Sequence, residues 1–223
     1  ASLEEASTYK LDLMLEKLDV RPEHHLLEIG TGWGGLAIHA AKTRGCRVTT
    51  TTISDEQHAH TAKRIEEEGL EDRITLLKQD YRELTGRYDR LISVEMIEAV
   101  GHQYLDTYLT KRDMDFIKRY IFPGGFLPSH HAMLSSVMRK TSLNVVALDE
   151  IGPHYARTLR EWRHRFEASL EQVRSLGYDE RFIRMWRYYL CYCEGGFIER
   201  SIGTCHLLLA KPAAKPVPLT GAL

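Results

Sequence analysis

The sequence predicts an α/β fold, in which a doubly wound, mainly parallel sheet is joined to a helical elaboration. The first observation is an apolar, strand-like run at 26–29 that enters a glycine-rich turn and then apolar residues at helical spacing. The second is the alternation of strand and helix patterns along residues 19–110. The third is the mostly helical, aromatic-rich pattern of residues 113–200.

Each predicted element has its own pattern. Apolar residues at helical spacing predict an amphipathic helix over 6–18, before the first strand. The second strand spans 47–53. Ser54, with Gln57 three residues later, forms a capping box that opens a helix to about residue 70. Strands three and four are predicted over 73–80 and 88–95, and a last, antiparallel strand over 202–210 at the edge of the same sheet.

Composition excludes several function classes. The formal net charge of −1 gives no support to a nucleic-acid-binding role. No run of about 18 apolar residues is present, and the acidic start does not resemble a signal peptide. Four cysteines without C-x-x-C spacing indicate reduced thiols and a cytoplasmic protein. The histidine pairs at 24–25 and 130–131 lack metal-ligand spacing, so no metal site is predicted.

The glycine-rich turn suits two classes of cofactor. Gly30, Gly32 and Gly35 satisfy G-x-G-x-x-G, which alone is a weak signal for a dinucleotide. A dinucleotide site also needs an acid at the tip of the second strand, where this chain has threonines. Glu28, directly before the glycines, favours a ligand with positive charge, such as S-adenosylmethionine. Asp80 and Tyr81 follow strand three. The Asp80 carboxylate is predicted to accept a hydrogen bond from an adenine amino group, and Tyr81 is predicted to stack beside the ring.

Several motifs together carry a resemblance to a known family. They are Glu28–Gly35, Thr52-Ile53-Ser54-x-x-Gln57, Gln79-Asp80-Tyr81-Arg82, Met96-Ile97-Glu98-Ala99-Val100-Gly101, the segment 119–128, and the segment 153–162. In this order they resemble the cyclopropane-fatty-acid synthase family of S-adenosylmethionine-dependent methyltransferases, which includes the mycolic acid cyclopropane synthases. The resemblance extends from about residue 8 to 211.

The resemblance implies a Rossmann-like class I methyltransferase. Such an enzyme transfers a methyl group from S-adenosylmethionine to the cis double bond of an unsaturated phospholipid acyl chain. A carbocation forms, and proton loss gives a cyclopropane or a methyl branch. The residues implied for the cofactor are Glu28, Gly30, Gly32, Thr52, Gln57, Asp80, Tyr81 and Arg82. Family members also hold a bicarbonate ion as proton acceptor, and Glu98 and Tyr155 match two of its ligands.

The resemblance also divides the chain. Residues 1–211 are expected to form a single methyltransferase domain, with a donor-binding core at 19–110, a lipid-binding helical elaboration at 113–200 and the edge strand at 202–210. Residues 212–223 are expected to be a disordered tail. The aromatics of the elaboration are predicted to wall an acyl tunnel. The basic residues Lys111, Arg112, Lys118 and Arg119 suit either a solvated helix face or contact with lipid headgroups, and the protein is expected at the inner face of the membrane. A homodimer stays open.

Three departures from the family pattern stand out. The family has a cysteine ligand upstream of the first helix, before residue 1 of this chain. Ala99 stands where many members have histidine. The chain also passes almost directly from residue 109 to 115, where the family has a fifth strand. A sheet without its central strand would leave backbone N–H and C=O groups unpaired. We therefore expect that residues which form this strand in the family are missing from the sequence near 109–112.

Alternative functions remain open. One is a methyltransferase of the same fold that acts on a small soluble acceptor, and another is a non-catalytic, donor-binding lipid module. A nicotinamide dehydrogenase is disfavoured by the strand tip without an acid. The sequence does not specify the double-bond position, the headgroup, or whether the product is a ring or a branch.

Overall fold

The computed structural model describes residues 2–99, 116–123, 125 and 127–214. The chain forms two compact units. The parallel-sheet unit comprises Thr8–Lys111, Gly124–Lys140 and Lys215–Leu223, and the helix-pair unit comprises Ala1–Ser7, Arg112–Pro123 and Thr141–Ala214. The predicted gap near 109–112 lies outside the described residues, as does the tail from residue 215 onward.

The parallel-sheet unit is built on four parallel strands in the order β3-β2-β1-β4. The strands are β1 His25–Ile29, β2 Arg47–Thr52, β3 Ile74–Lys78 and β4 Arg90–Ser93. The helices are α1 Leu3–Lys17, α2 Gly35–Arg44, α3 Asp55–Glu67 and α4 His130–Lys140, with short 3-10 turns at Tyr81–Glu83 and Ile97–Ala99. The four predicted strands are confirmed; β2, β3 and β4 are shorter than predicted, and β1 begins one residue earlier. Ile29 of β1 pairs in register with Thr51 of β2 and Ser93 of β4, so these three strands end at one edge.

The core of this unit follows from the apolar pattern of the sequence. Leu26 in β1, Val48 in β2 and Ile74 in β3 are buried against apolar residues of α1, α2 and α3. Small side chains such as Ala37 and Ala40 let α2 approach the sheet closely. This packing fixes the strand ends, and therefore the loops that follow them.

The helix-pair unit contains β5 Asn144–Glu150, α5 Gly152–Ala168, α6 Leu170–Ser175, α7 Glu180–Ile198 and β6 Cys205–Ala210, with a π-helical turn at Ile117–Ile121. The predicted last strand is confirmed as β6 and is antiparallel, but its place differs: among the described residues it pairs with β5 in a two-stranded sheet and not with a strand of the parallel sheet. The strand at 144–150 was not predicted from the sequence. The reason is physical, because the strand state of this segment depends on pairing with residues about sixty positions away.

No helix among the described ranges has the length and apolar character that crossing a bilayer requires.

Candidate donor site and acid at the strand ends

The glycine-rich turn after β1 is held in an open shape by backbone hydrogen bonds. Gly30 and Gly32 have φ angles of 93° and 53°, which disfavour any residue with a side chain. The N–H groups of Gly30 and Thr31 donate to the Thr51 carbonyl at 3.1 and 3.0 Å. A Cβ added to Gly32 would meet no atom within 4 Å. The turn therefore exposes backbone with open space beside it, which suits a ligand that lies against it.

Four successive threonines of β2, at positions 49–52, are buried, and each hydroxyl has a partner. Thr49 shares a hydrogen bond of 2.8 Å with the His25 ring, and Thr51 donates to the Gln79 carbonyl. Thr50 donates to Glu28, and Thr52 donates to the Gln57 side chain. Buried hydroxyls without partners would destabilise the protein. The threonines of β2 are therefore stabilised only when the residues on both sides of the strand are in place to bond with them.

Glu28 is buried in β1, with 3% of its surface exposed. Its carboxylate accepts from the Thr50 hydroxyl at 2.6 Å, and the Thr50 hydroxyl lies 2.7 Å from that of Thr31 in the glycine-rich turn. Because Thr50 donates to the carboxylate, Thr31 donates to Thr50. Burial raises the pKa of Glu28 to about 7, and the Thr50 hydrogen bond offsets only part of that rise. The carboxyl therefore links β1, β2 and the turn.

The tip of β2 carries the predicted pair Thr52 and Gln57. The Thr52 hydroxyl donates to the Gln57 amide oxygen at 3.0 Å and accepts from the Ser54 N–H at 3.2 Å. Ser54 is the N-cap of α3, as predicted, since its hydroxyl accepts from the Gln57 N–H. The return hydrogen bond of the predicted capping box does not form, because the Ser54 N–H and the Gln57 side chain both bond to Thr52 instead. The Gln57 amide nitrogen remains as a donor for a ligand. Ile53 is 75% exposed between them. Ile53 was not predicted as a site residue, although a large apolar residue at a strand tip is a usable signal.

Asp80 and Arg82 pair with each other after β3. Asp80 accepts from the Arg82 backbone N–H at 2.9 Å and from the guanidinium at 2.9 and 2.6 Å. The hydrogen bonds from the Arg82 side chain and backbone lower the pKa of Asp80 to about 2. Asp80 thus caps the short Tyr81–Glu83 helix and stays ionised. An adenine amino group would share this carboxylate with Arg82, and Tyr81 lies half-buried beside it.

Glu98 lies beyond β4, in the turn Ile97–Ala99. The end of β4 is tied to β1 by the Ser93 hydroxyl, which donates to the Ile29 carbonyl at 3.0 Å. Met96, two residues before Glu98, packs closely on Gly30: a Cβ added to this glycine would lie 3.3 Å from the Met96 Cγ atom. The Glu98 Oε2 atom is buried and has no hydrogen-bond partner among the described residues. A buried carboxylate oxygen is normally satisfied, so this one is suited to a donor that a ligand supplies.

Tyr155 belongs to the helix-pair unit, whereas the other predicted site residues belong to the parallel-sheet unit. It lies on α5, where its ring contacts Phe197 at 5.0 Å and the edge of Trp162 at 6.0 Å. The role of Tyr155 as a partner of Glu98 stays a prediction.

The aromatics that were predicted to wall an acyl tunnel form small clusters in the helix-pair unit. Phe116 packs on Tyr188 at 4.6 Å, and Trp186 packs on Tyr189 at 5.1 Å. Tyr188 is about half exposed, so an apolar surface is available on α7. Phe126, which was included in the prediction, lies outside the described residues.

The remaining candidate ligands in the described ranges are histidine, cysteine and acidic side chains. No group of three or more His, Cys, Asp or Glu side chains there is arranged to hold a metal ion. The four cysteines are free thiols, and Cys46 is buried.

Comparisons with known proteins agree with the fold. The family model described as mycolic acid cyclopropane synthetase matches residues 1–115 and 109–207. A cyclopropane synthase structure from Mycobacterium tuberculosis superposes with a TM-score of 0.86 at 26% identity, covering 94% of this chain and 86% of that one. A mycolic acid cyclopropane synthase solved with SAH and CTAB has a TM-score of 0.84 at 25% identity, covering 94% and 85%. The predicted doubly wound α/β fold is confirmed.

Curated relatives are more similar in sequence. A tuberculostearic acid methyltransferase from Mycobacterium tuberculosis is 38% identical over 219 residues, covering 86% of this chain and 51% of the relative. The cyclopropane-fatty-acyl-phospholipid synthase of Escherichia coli K12 is 36% identical over 226 residues, covering 90% and 57%. The chain thus spans between half and three-fifths of the length of these two relatives.

Proposed function

This chain belongs to the mycolic acid cyclopropane synthetase family, and from that premise we propose that it methylates an unsaturated phospholipid acyl chain. The methyl group comes from S-adenosylmethionine and is added to a cis double bond, which gives a cyclopropane ring or a methyl branch. The relatives support this proposal, since the Escherichia coli protein is named for cyclopropane formation on fatty-acyl phospholipids. The acyl chain is taken from the surface of a membrane at its cytoplasmic face, where the protein binds peripherally.

The residues at the ends of β1, β2 and β3 fit S-adenosylmethionine. This cofactor supplies a methyl group on a positively charged sulfur. The open space beside Gly32 would accommodate its amino-acid end, and the buried Glu28 carboxyl holds the turn in place through Thr50 and Thr31. Thr52 donates to the Gln57 amide oxygen, which leaves the amide nitrogen as a donor for the ribose. Exposed Ile53 offers an apolar surface for the adenine. Asp80, Tyr81 and Arg82, which follow the neighbouring strand β3, are proposed to contact the same ring.

The unsatisfied Glu98 oxygen is the observation that carries the catalytic proposal. After methylation the acyl chain bears a positive charge and has to lose a proton, which requires a base in a site without water. A bicarbonate ion would supply that base. Because two adjacent anions repel each other unless a proton lies between them, the bicarbonate O–H would donate to Glu98 Oε2. This oxygen lacks such a donor among the described residues. Tyr155 is proposed as a second ligand of the same ion, on the family resemblance alone.

The test is a methylation assay with vesicles. Purified protein is incubated with labelled S-adenosylmethionine and vesicles of monounsaturated phosphatidylglycerol, and the fatty acids are analysed by mass spectrometry. We expect a gain of one methylene, and fragmentation then separates a ring from a branch. Vesicles of saturated lipid are the matched control and should give no product. Methylation of a soluble aromatic acceptor without any methylation of vesicles would contradict the proposal and favour the small-acceptor alternative.

A further inference from the structure

A basic cleft opens within the helix-pair unit, between α5 and the end of α7. Its volume is about 650 Å³. The lining includes Arg157 and Arg160 of α5, Arg200 just beyond α7, and the apolar residues Ala156, Phe197 and Ile198. We call this site the arginine cleft. One acid, Glu161, also lines it. The cleft is positive although the whole chain has a net charge of −1, so its charge is a local feature.

The arginines of the cleft differ in their partners. Arg160 donates to Glu194 at 2.8 Å, and Arg163 donates to the other oxygen of the same carboxylate. Burial tends to raise the pKa of Glu194, but the hydrogen bonds from Arg160 and Arg163 outweigh it and keep the pKa low. Arg157 and Arg200 form no ion pair with any described carboxylate. Two guanidinium groups are therefore available to an anion beside one that is held in place.

The backbone of Arg200 is unusual. Its φ angle is 54°, in the left-handed region, at the position just past the helix end where glycine is the usual residue. An L-residue with a bulky side chain is disfavoured in that conformation. Glycine would end the helix at a lower conformational cost. What arginine adds at this position is its guanidinium group.

The cleft combines this charge with apolar surface. Ile198 is 52% exposed, and Phe197 and Ala156 lie beside it. An anion that is also apolar matches such a surface better than a purely polar anion does. We propose that the arginine cleft docks the phosphate of an anionic phospholipid in a bilayer, with the first methylenes of the lipid against Phe197 and Ile198. This inference rests on the proposed lipid substrate and assigns where its headgroup is held.

The cleft is also connected to Tyr155. Phe197 forms part of the cleft wall, and its ring contacts that of Tyr155. Exposed Trp162 lies on the other side of Tyr155, on the same helix α5. Aromatic side chains of this kind are frequent where a protein meets the polar surface of a membrane. A lipid held in the cleft would therefore lie next to the aromatic group that contains Tyr155.

The experiment is a vesicle co-flotation assay with the full chain. Vesicles contain either phosphatidylcholine alone or phosphatidylcholine with phosphatidylglycerol. We expect the wild type to bind the mixed vesicles, and Arg157→Gln/Arg200→Gly to bind them about tenfold more weakly, since two cationic contacts with an anionic surface are lost. The matched control is Arg181→Gln/Arg184→Gln, which removes the same charge from exposed positions of α7. It should change binding by less than twofold.

Folding is controlled by the single variant Arg200→Gly. Because glycine relieves the left-handed strain, its melting temperature should equal or exceed that of the wild type, while its binding to mixed vesicles falls several-fold. Equal losses in the cleft variant and the control would overturn the proposal, because the attraction would then be general. A poly-glutamate peptide that binds the wild type more tightly than vesicles do, and requires Arg157 and Arg200, would also overturn it in favour of an acidic protein partner.

The methylation assay separates this inference from the proposed function. If the wild type methylates vesicle lipids and the cleft variant binds and methylates them equally well, the headgroup site is wrong and the proposed function stands. If the wild type binds mixed vesicles through the cleft but methylates no acyl chain, the cleft stands as a lipid site and the proposed function is wrong.

Discussion

The carboxyl ends of β2 and β4 flank β1 in the same sheet, but the buried polar side chains at these two ends differ in whether they have hydrogen-bond partners. At β2, every buried threonine hydroxyl has a partner, and the capping residues of α3 complete the network. Beyond β4, the buried Glu98 oxygen has no partner in the described part of the chain. The difference is between a polar network that is complete within the fold and an acid oxygen that is left without a partner, and only the second needs a ligand to satisfy it.

The largest expected effect comes from Gly32→Val. Valine is β-branched and disfavours a φ of 53°, and its side chain would occupy the open space beside the turn. We expect S-adenosylmethionine binding to be abolished in titration calorimetry. The matched control is Gly69→Val, since Gly69 has a φ of 62° and equally open surroundings after α3. Both variants should lose about 1–2 kcal/mol of stability, but only the first should lose the cofactor. Normal binding by Gly32→Val would show that the turn is not the site.

The second effect concerns Glu98. Glu98→Gln keeps the size and removes the charge, so turnover should fall by roughly 10²–10⁴-fold while cofactor binding survives. Its melting temperature should stay at or above that of the wild type, because a buried unsatisfied oxygen is no longer charged. A destabilised variant with normal specific activity would instead make Glu98 a structural residue.

Tyr155→Phe serves as the partner variant in a double-mutant cycle. Loss of one hydroxyl should lower turnover less than Glu98→Gln does, and the two losses should not add if both residues hold one ion. Added bicarbonate should partly restore the tyrosine variant. Fully additive losses would separate Tyr155 from Glu98 in the mechanism.

The third effect is a pH dependence of stability. The pKa of Glu28 is raised from 4.5 to about 7 in the folded protein, so the folded state binds this proton more tightly than the unfolded state. Its contribution to stability is present below pH 4.5 and is lost as the pH rises to about 7, by roughly 3 kcal/mol in total. Glu28→Gln should therefore be the more stable protein at about pH 8, with the difference disappearing near pH 4. Urea unfolding across this range measures it, and a difference that does not vary with pH would contradict the assignment.

The smallest effect tests how much a buried hydroxyl without a hydrogen-bond partner lowers the stability of the protein. Thr61 is fully buried in α3, and its hydroxyl has no partner among the described residues. Thr61→Val keeps the shape and removes that hydroxyl, so the free energy of unfolding should rise by about 1 kcal/mol. The matched control is Thr50→Val, the same change at a satisfied hydroxyl. It should destabilise the protein by about 1–3 kcal/mol, because Glu28 and Thr31 lose their partner. If both variants lose stability, the Thr61 hydroxyl has a partner in the protein and does not differ from that of Thr50.

The sequence predicted best those features whose signals are local. The strand–turn–helix at 26–44 and the Ser54 cap follow from glycine spacing, an apolar run and a capping box within a few residues. It predicted least well what depends on distant partners. The segment 144–150 is a strand because β6 pairs with it, and the arginine cleft exists because α7 returns beside α5. Glu98 was assigned from the family resemblance, but its unsatisfied oxygen could be known only from the fold.

The two amides that share the Thr51 carbonyl also link the turn to the folding of β2. Gly30 and Thr31 belong to the segment after β1, but their acceptor is in another strand, so the turn is stabilised only once β2 has paired. The turn, which is the proposed cofactor site, should therefore form in folding only after the β1–β2 contact. In hydrogen exchange these two amides should open together, at a rate set by the release of β2. Their protection reports on strand pairing as much as on the turn itself.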